Sequence, residues 1–251
     1  MLIRTALVLL VIVVNAACTD GRLGVKIPFK AVFGDQMVTC DSLDTTLTDL
    51  RFFVFDLALL DADGRQVPIV LDDQYQWQQR DLALIDLENG SGACVNGTTD
   101  VYSYLVGSVP RGEYQGLVFT VGVPFERNHA NPLMAEAPLD ITAMHWHWRS
   151  GYKFLRAGVR TSSDGFWTHL GSAGCEGTTA NVSGCRFPIR VTVELPDFLL
   201  LRDTIAIDLD SLFAGINVLD GEASVCSSGP AETSCAAPFL ALGIDHKSGR
   251  T

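Results

Sequence analysis

Short spans of alternating apolar and polar residues dominate this chain, and helical periodicity is nearly absent. Residues 25–32 run Val-Lys-Ile-Pro-Phe-Lys-Ala-Val and predict an opening strand. Residues 50–60 are rich in aromatic and branched side chains. They lead into Asp61-Ala-Asp63-Gly64 and then Val67-Pro-Ile-Val-Leu71, which predicts a β-hairpin. Asp61 and Asp63 lack the further ligands of a calcium loop, so that segment is a turn. Strands are predicted over 77–87 and 116–124, the second of them buried. Residues 125–140 carry prolines and no period, which predicts a long loop. Residues 141–148, 152–159, 166–170, 187–195 and 204–212 return to strand, and only 209–219 offers a helical turn or two. Short strands separated by regular turns predict an all-β fold, a single-domain antiparallel β-sandwich with long loops.

The first residues change the picture of where the protein works. One arginine, Arg4, precedes an apolar run over 6–14, followed by Ala16, Ala17 and Cys18. The run is too short to cross a bilayer core of about 30 Å, and it predicts a signal peptide over 1–17 with a mature domain over 18–251. Cys18 stands where a lipoprotein cysteine would, with Asn15 in place of the usual leucine, and its lipidation would tether the protein to a membrane. The expected location is the periplasm or the outer-membrane or cell surface. Loss of Arg4 takes the formal charge from -11 to -12. An acidic exported domain excludes nucleic acid as a partner, because that affinity rests on Lys and Arg.

Six cysteines follow Cys18, and an even number in an exported chain implies disulfides. Cys175–Cys185 and Cys226–Cys235 each enclose a loop rich in small polar residues, which predicts local pairs. Cys40–Cys94 then follows by elimination, one of the many connectivities that six cysteines allow. No Cys-x-x-Cys suggests a thiolate metal cluster.

Residues 122–175 concentrate the chemistry. They hold His129, His145, His147 and His169, together with Trp146, Trp148, Trp167, Met134 and Met144. Met-His-Trp-His-Trp at 144–148 crowds imidazole, indole and thioether, and neutral imidazole suits copper and zinc while a thioether favours copper. On a strand over 141–148, Met144, Trp146 and Trp148 share one face and His145 and His147 the other. Two sites follow. In one, His145 and His147 chelate a metal with a distant third residue. In the other, the Met144/Trp146/Trp148 face meets His129 and His169. Structural readings stand beside both: the tryptophans as core, the histidine pair as an exposed feature, His129 in a turn, and His169 as a satisfied polar group beside a disulfide. His246, near the charged end of the chain, is expected to be solvent-exposed. No nucleophile elbow, phosphate loop or His-Glu-x-x-His is present, so the chain is expected not to be an enzyme.

Val123-Pro-Phe-Glu-Arg-Asn128-His129, Met144-x-Trp146-x-Trp148-x-x-Gly151-Tyr152-Lys153-Phe154 and His169-Leu-Gly-Ser-x-Gly-Cys175 occur in that order, followed by Val225-Cys-Ser-Ser-Gly-Pro230 and Phe239-Leu-Ala-Leu-Gly243. Together they resemble the MbnP-like proteins, the four-cysteine-motif members of the metallo-mystery pair. The resemblance implies an exported copper-binding protein that works with a di-haem cytochrome c peroxidase-like partner of the MbnH type. It implies that the partner converts a tryptophan, Trp146 or Trp148 here, to kynurenine, and that the product contributes to copper binding. It further implies metal-binding roles for His129, His169 and Met144, with His145 and His147 as departures that offer a second site. The competing expectation is a metal-free cell-surface β-sandwich whose tryptophans pack the core or bind carbohydrate or a protein.

Overall fold

A computed structural model describes residues 21–251 except 75, 163–164, 179–180, 216–223 and 230. The leader, Cys18 and the end of the 209–219 segment lie outside the described residues. No described helix is long and apolar enough to cross a membrane.

Fourteen strands carry the description: β1 (Arg22–Phe33), β2 (Thr46–Asp61), β3 (Leu82–Asp86), β4 (Tyr104–Pro110), β5 (Tyr114–Val121), β6 (His145–His147), β7 (Gly151–Tyr152), β8 (Leu155–Arg160), β9 (Gly165–Leu170), β10 (Ala173–Thr178), β11 (Asn181–Phe187), β12 (Val191–Leu195), β13 (Ile205–Asp208) and β14 (Ser224–Cys226). One sheet runs β13-β1-β4 and ends on the short strand Val70–Leu71. The other runs β12-β5-β2-β8-β9-β14, with β3 also paired to β2. The two sheets form an all-β sandwich, mixed rather than purely antiparallel, because β1 pairs β13 and β9 pairs β14 in parallel.

The long strand β2 organises the second sheet. Leu50, Phe52 and Val54 point between the sheets, and Arg51 and Phe53 point outward, yet all are buried. Such two-sided burial explains the nearly unbroken apolar run in its sequence. β2 passes from β8 to β5 between Phe52 and Val54, and a bulge at exposed Asp56, whose φ is 51°, then shifts its register within the β5 pairing. Between the sheets, Phe29 meets Phe52 and Phe119 edge-on at 5.6 and 6.2 Å. Burying a side chain of this size contributes about 1.5–3 kcal/mol. A second apolar cluster covers the outer face, where Phe53, Leu82, Leu84, Tyr152 and Phe154 gather with Met144.

The segment over that outer face departs from the strand expected at 141–148. Residues 125–140 include a short helix, α1 (Phe125–Asn128), and the 3-10 turn Pro132–Met134. A further 3-10 turn, Thr142–Met144, precedes β6, which is only His145–His147. The Met144 amide donates to the Ile141 carbonyl at 3.0 Å, and its own carbonyl accepts from Lys153 at 2.8 Å. Those two bonds wind Met144 into a turn, so the alternation of a strand does not reach it. The strand expected over 77–87 is likewise broken, into Gln78–Gln79 and β3, around Arg80 with a φ of 60°. His246 is half-buried rather than solvent-exposed, with its ring edge-on to Phe239 at 5.1 Å.

Three disulfides join Cys40 to Cys94, Cys175 to Cys185 and Cys226 to Cys235. The first ties the loop after β3 to the residues ahead of β2, the second crosses the β10–β11 hairpin, and the third anchors the chain after β14.

Candidate metal centre

Asn128 closes α1 and is 1% exposed. Its side-chain oxygen accepts the Tyr152 amide at 2.8 Å, and this fixes the orientation of its amide group. The Asn128 nitrogen therefore donates to the Ser150 carbonyl at 3.0 Å and faces Nε2 of His129 at 3.1 Å. A donor at Nε2 makes that atom the acceptor of a neutral ring and leaves the proton on Nδ1. Nδ1 is buried with no partner in hydrogen-bond geometry. Burial holds the His129 pKa below its ordinary value, with the Arg190 charge acting in the same direction and the Trp148 backbone against it. The ring also packs on Phe125, 4.8 Å between centroids.

Gly151 is the other half of this clasp. Its φ is +78°, and a Cβ there would run into the backbone and side-chain oxygens of Asn128. Gly151→Ala should cost about 2 kcal/mol or more, combining left-handed strain with the collision. The loss should shrink but not vanish in an Asn128→Ala background, because only the side-chain half of the collision is removed there, while the backbone collision and the left-handed strain remain. Denaturation midpoints of the two single variants and the double variant test this coupling; equal losses in both backgrounds would contradict it.

The clasp brings a loop, a turn and a strand to one cavity of about 480 Å³, lined by His129, His145 and Trp148 with Asn128, Ala130, Asn131 and Pro132. His145 stands edge-on to Tyr152 at 5.2 Å. Burial lowers its pKa, and Lys153 and His147 add to the effect. His147 is exposed, and its Nδ1 accepts the Arg149 amide at 3.3 Å. The β6 register slips between His145 and His147, so the two rings sit in different surroundings. Met144 is 0% exposed within the outer apolar cluster and does not line the cavity.

His169 belongs to a second neighbourhood on the same face. Its ring meets Trp146 edge-on at 6.4 Å. Across the sheet, Asp86, Arg51, Arg156 and His169 are successive cross-strand neighbours on β3, β2, β8 and β9. Arg51 grips Asp49 with two bonds of 2.8 Å and approaches Glu88 at 3.4 Å. Arg156 reaches Asp49 at 2.6 Å, and both Arg156 and Lys153 donate to the Ala143 carbonyl, at 3.1 and 3.2 Å. These cations hold the Thr142–Met144 turn down on the sheet. Burial, then the charges of Arg156 and Lys153, push the His169 pKa down to about 4. Burial and the Glu88 charge push Asp86 up to about 8. The His169 carbonyl accepts from the Ser228 hydroxyl at 3.0 Å, and the same hydroxyl oxygen accepts the Gly171 amide at 2.8 Å. The segment after Cys226 thereby staples the end of β9.

The tryptophans thus divide between two neighbourhoods: Trp148 lines the cavity with His129 and His145 and packs at a tilt on His147 at 5.5 Å, and Trp146 meets His169. Trp167 packs over Gly158 and Gly165, where a Cβ at either would strike its ring. Among the described residues, one group of three His, Cys, Asp or Glu donor atoms lies within 4.8 Å of one another: His129, Cys175 and Cys185. The two sulfurs are joined in a disulfide and hold no thiolate. Sequence reasoning missed the disulfide beside His129, the clasp made by Asn128 and the cations beside His169. Asn128, Gly151 and Lys153 do fall inside the ordered motifs, and that was their only signal.

A family model described as MbnP matches residues 22–228. The solved structure of MbnP from Methylosinus trichosporium is similar over 91% of this chain and 94% of that chain, at 26% sequence identity and a TM-score of 0.75. No match is found among curated proteins.

Proposed function

The chain belongs to the MbnP family, and from that premise we propose that it is an exported, non-enzymatic copper-binding protein whose site is completed by oxidation of Trp146 or Trp148 to kynurenine. The oxidant is a di-haem peroxidase-like partner of the MbnH type, since the chain carries no haem-attachment or flavin motif of its own. Export uses the leader over 1–17, and lipidated Cys18 supplies a membrane tether.

One observation carries this reading: each motif tryptophan already stands beside an imidazole, Trp148 in the cavity with His129 and His145, and Trp146 edge-on to His169. Indole is a poor ligand because its nitrogen lone pair belongs to the ring. Kynurenine offers an arylamine and a ketone, so oxidation adds donors where imidazoles wait. The histidines fit copper chemically. All three of His129, His145 and His169 have lowered pKa values, so they are neutral near pH 7 with a lone pair to give. Metal binding at His129 displaces either the Asn128 amide from Nε2 or the proton from Nδ1. Met144, enclosed in the apolar cluster, serves as a ligand only after the Thr142–Met144 turn shifts.

Copper titration of the processed protein tests the ligand set. His129→Ala and His169→Ala should each weaken copper binding by about tenfold or more, while His246→Ala leaves it unchanged. Full binding by both of the first two variants, with loss in His145→Ala/His147→Ala, would assign copper to the β6 pair instead.

A further inference from the structure

We propose that the Cys175–Cys185 disulfide masks a second metal site, a His-Cys-Cys site for a soft cation such as cuprous copper, which opens when a dithiol reduces the bond. Three observations carry it. Nε2 of His129 lies 3.4 Å from the Cys185 sulfur. The three donor atoms, His129 nitrogen and both sulfurs, lie within 4.8 Å of one another. Donors around a four-coordinate ion with metal–sulfur bonds of about 2.3 Å stand about 3.8 Å apart, so the two sulfurs must draw apart from bonding distance to that spacing while the imidazole stays close to its present place.

The hairpin ladder holds the sulfurs once the bond is gone. Cys175 and Cys185 are direct partners in the β10–β11 ladder, so the backbone pairing keeps both side chains on one side of the hairpin without the covalent link. His129 is placed separately, next to Asn128, which is tied to the turn before β7 and now donates to His129 Nε2; a cation at Nε2 takes that amide's place. The acceptor nitrogen of His129 already faces the hairpin. A thiolate is the ligand form of cysteine, and thiolate with imidazole is a donor set that soft cations prefer.

Access separates this bond from the others. Cys40, Cys94, Cys226 and Cys235 are each no more than 2% exposed. Cys185 is half-buried, on a hairpin whose Glu176, Thr178 and Ser183 are exposed. Exposed disulfides are the labile ones. A dithiol attacks the sulfur of Cys185, the less buried of the two, and forms a mixed disulfide; its second thiol then closes its own disulfide and releases both cysteines as thiols. Two electrons and two protons pass from the dithiol to Cys175 and Cys185. Binding of the cation to both thiolates then releases up to two protons.

This site uses His129 but does not depend on kynurenine, so the test employs protein made without the partner and shown by intact mass to retain its tryptophans. The mature protein is treated with a dithiol under native conditions, freed of it anaerobically, and titrated with cuprous ion against a chromophoric chelator. Two thiols per chain should appear, and the reduced protein should gain one cuprous ion per chain that the oxidised protein lacks, with a thiolate-to-metal band in the near ultraviolet. Cys175→Ser/Cys185→Ser should show no gain on reduction. His129→Gln should keep both thiols but bind at least about tenfold more weakly. Retention of the sandwich in each variant is read from circular dichroism; if the double cysteine variant fails it, Cys185→Ser alone replaces it and its single thiol should lose the gain, and if His129→Gln fails it, His129→Asn replaces it with the same expected weakening. Equal binding before and after reduction, or a gain indifferent to His129, would overturn the proposal. Failure here leaves the kynurenine reading untouched, because that reading is tested on oxidised, partner-processed protein.

Discussion

Arg51→Met should remove about 3–5 kcal/mol of folding stability, the cost of leaving buried charges without their partner. Arg51 is 2% exposed and lies among Asp49, Asp86 and Glu88, all buried. Without it, Arg156 alone among the arginines faces the Asp49 and Glu88 carboxylates and the largely protonated Asp86, and it is already bonded to Asp49. The effect should spread beyond β2. Glu88 accepts the Gly90 amide at 3.0 Å and the Thr98 amide at 3.1 Å, which positions the loop bearing Cys94. At the other end, Arg156 fixes the turn that carries Met144 and leads into β6. A methionine preserves most of the volume, so packing loss is small and the result reads the charge. Urea denaturation should show a lower midpoint at an unchanged slope. A loss below about 1 kcal/mol would mean that the row is hydrated and structurally idle.

The pattern of short alternating strands was enough to read a sandwich, since one buried and one solvated face imposes a period of two. Residues 25–32 show this directly: they lie within β1, with Ile27 and Phe29 in the core. Where both faces are buried, as at β2, the apolar run was legible but its partners were not. Register there depends on a bulge at Asp56 that no periodicity encodes. Parallel pairing of β1 with β13 was also beyond reach, because it joins segments far apart in the chain.

The candidate site was legible as a set of residues and not as an arrangement. Treating 141–148 as one strand placed Met144 with the tryptophans. In the structure the Ile141–Met144 bond and the Lys153–Met144 bond turn the chain, and Met144 enters the apolar cluster. His129 and His169 flank the aromatic segment in sequence, yet each meets a different tryptophan. The Asn128 clasp needs a buried amide facing Gly151 across 23 residues, which is a tertiary fact. The cations beside His169 come from the neighbouring strand in register and from the turn that precedes it.

Oxidation at Trp146 or Trp148 should be the largest functional change this protein undergoes. It turns an indole, which gives copper no lone pair, into an arylamine and ketone beside neutral imidazoles. Protein produced with the proposed di-haem partner should bind copper far more tightly than protein produced alone, with the same fold and the same disulfides. Tryptophan fluorescence should fall in step, because one indole is destroyed. Removing both candidates, as Trp146→Phe/Trp148→Phe, should abolish the difference between the two preparations while leaving the sandwich intact.

Peptide mapping by mass spectrometry of the copper-loaded protein from its native host tests the proposal most directly. The peptide that contains Met144-His-Trp-His-Trp148 should carry a mass increase of one oxygen less one carbon, located on Trp146 or Trp148 and absent when the partner is missing. Unmodified Trp146 and Trp148 in protein that holds copper would contradict it.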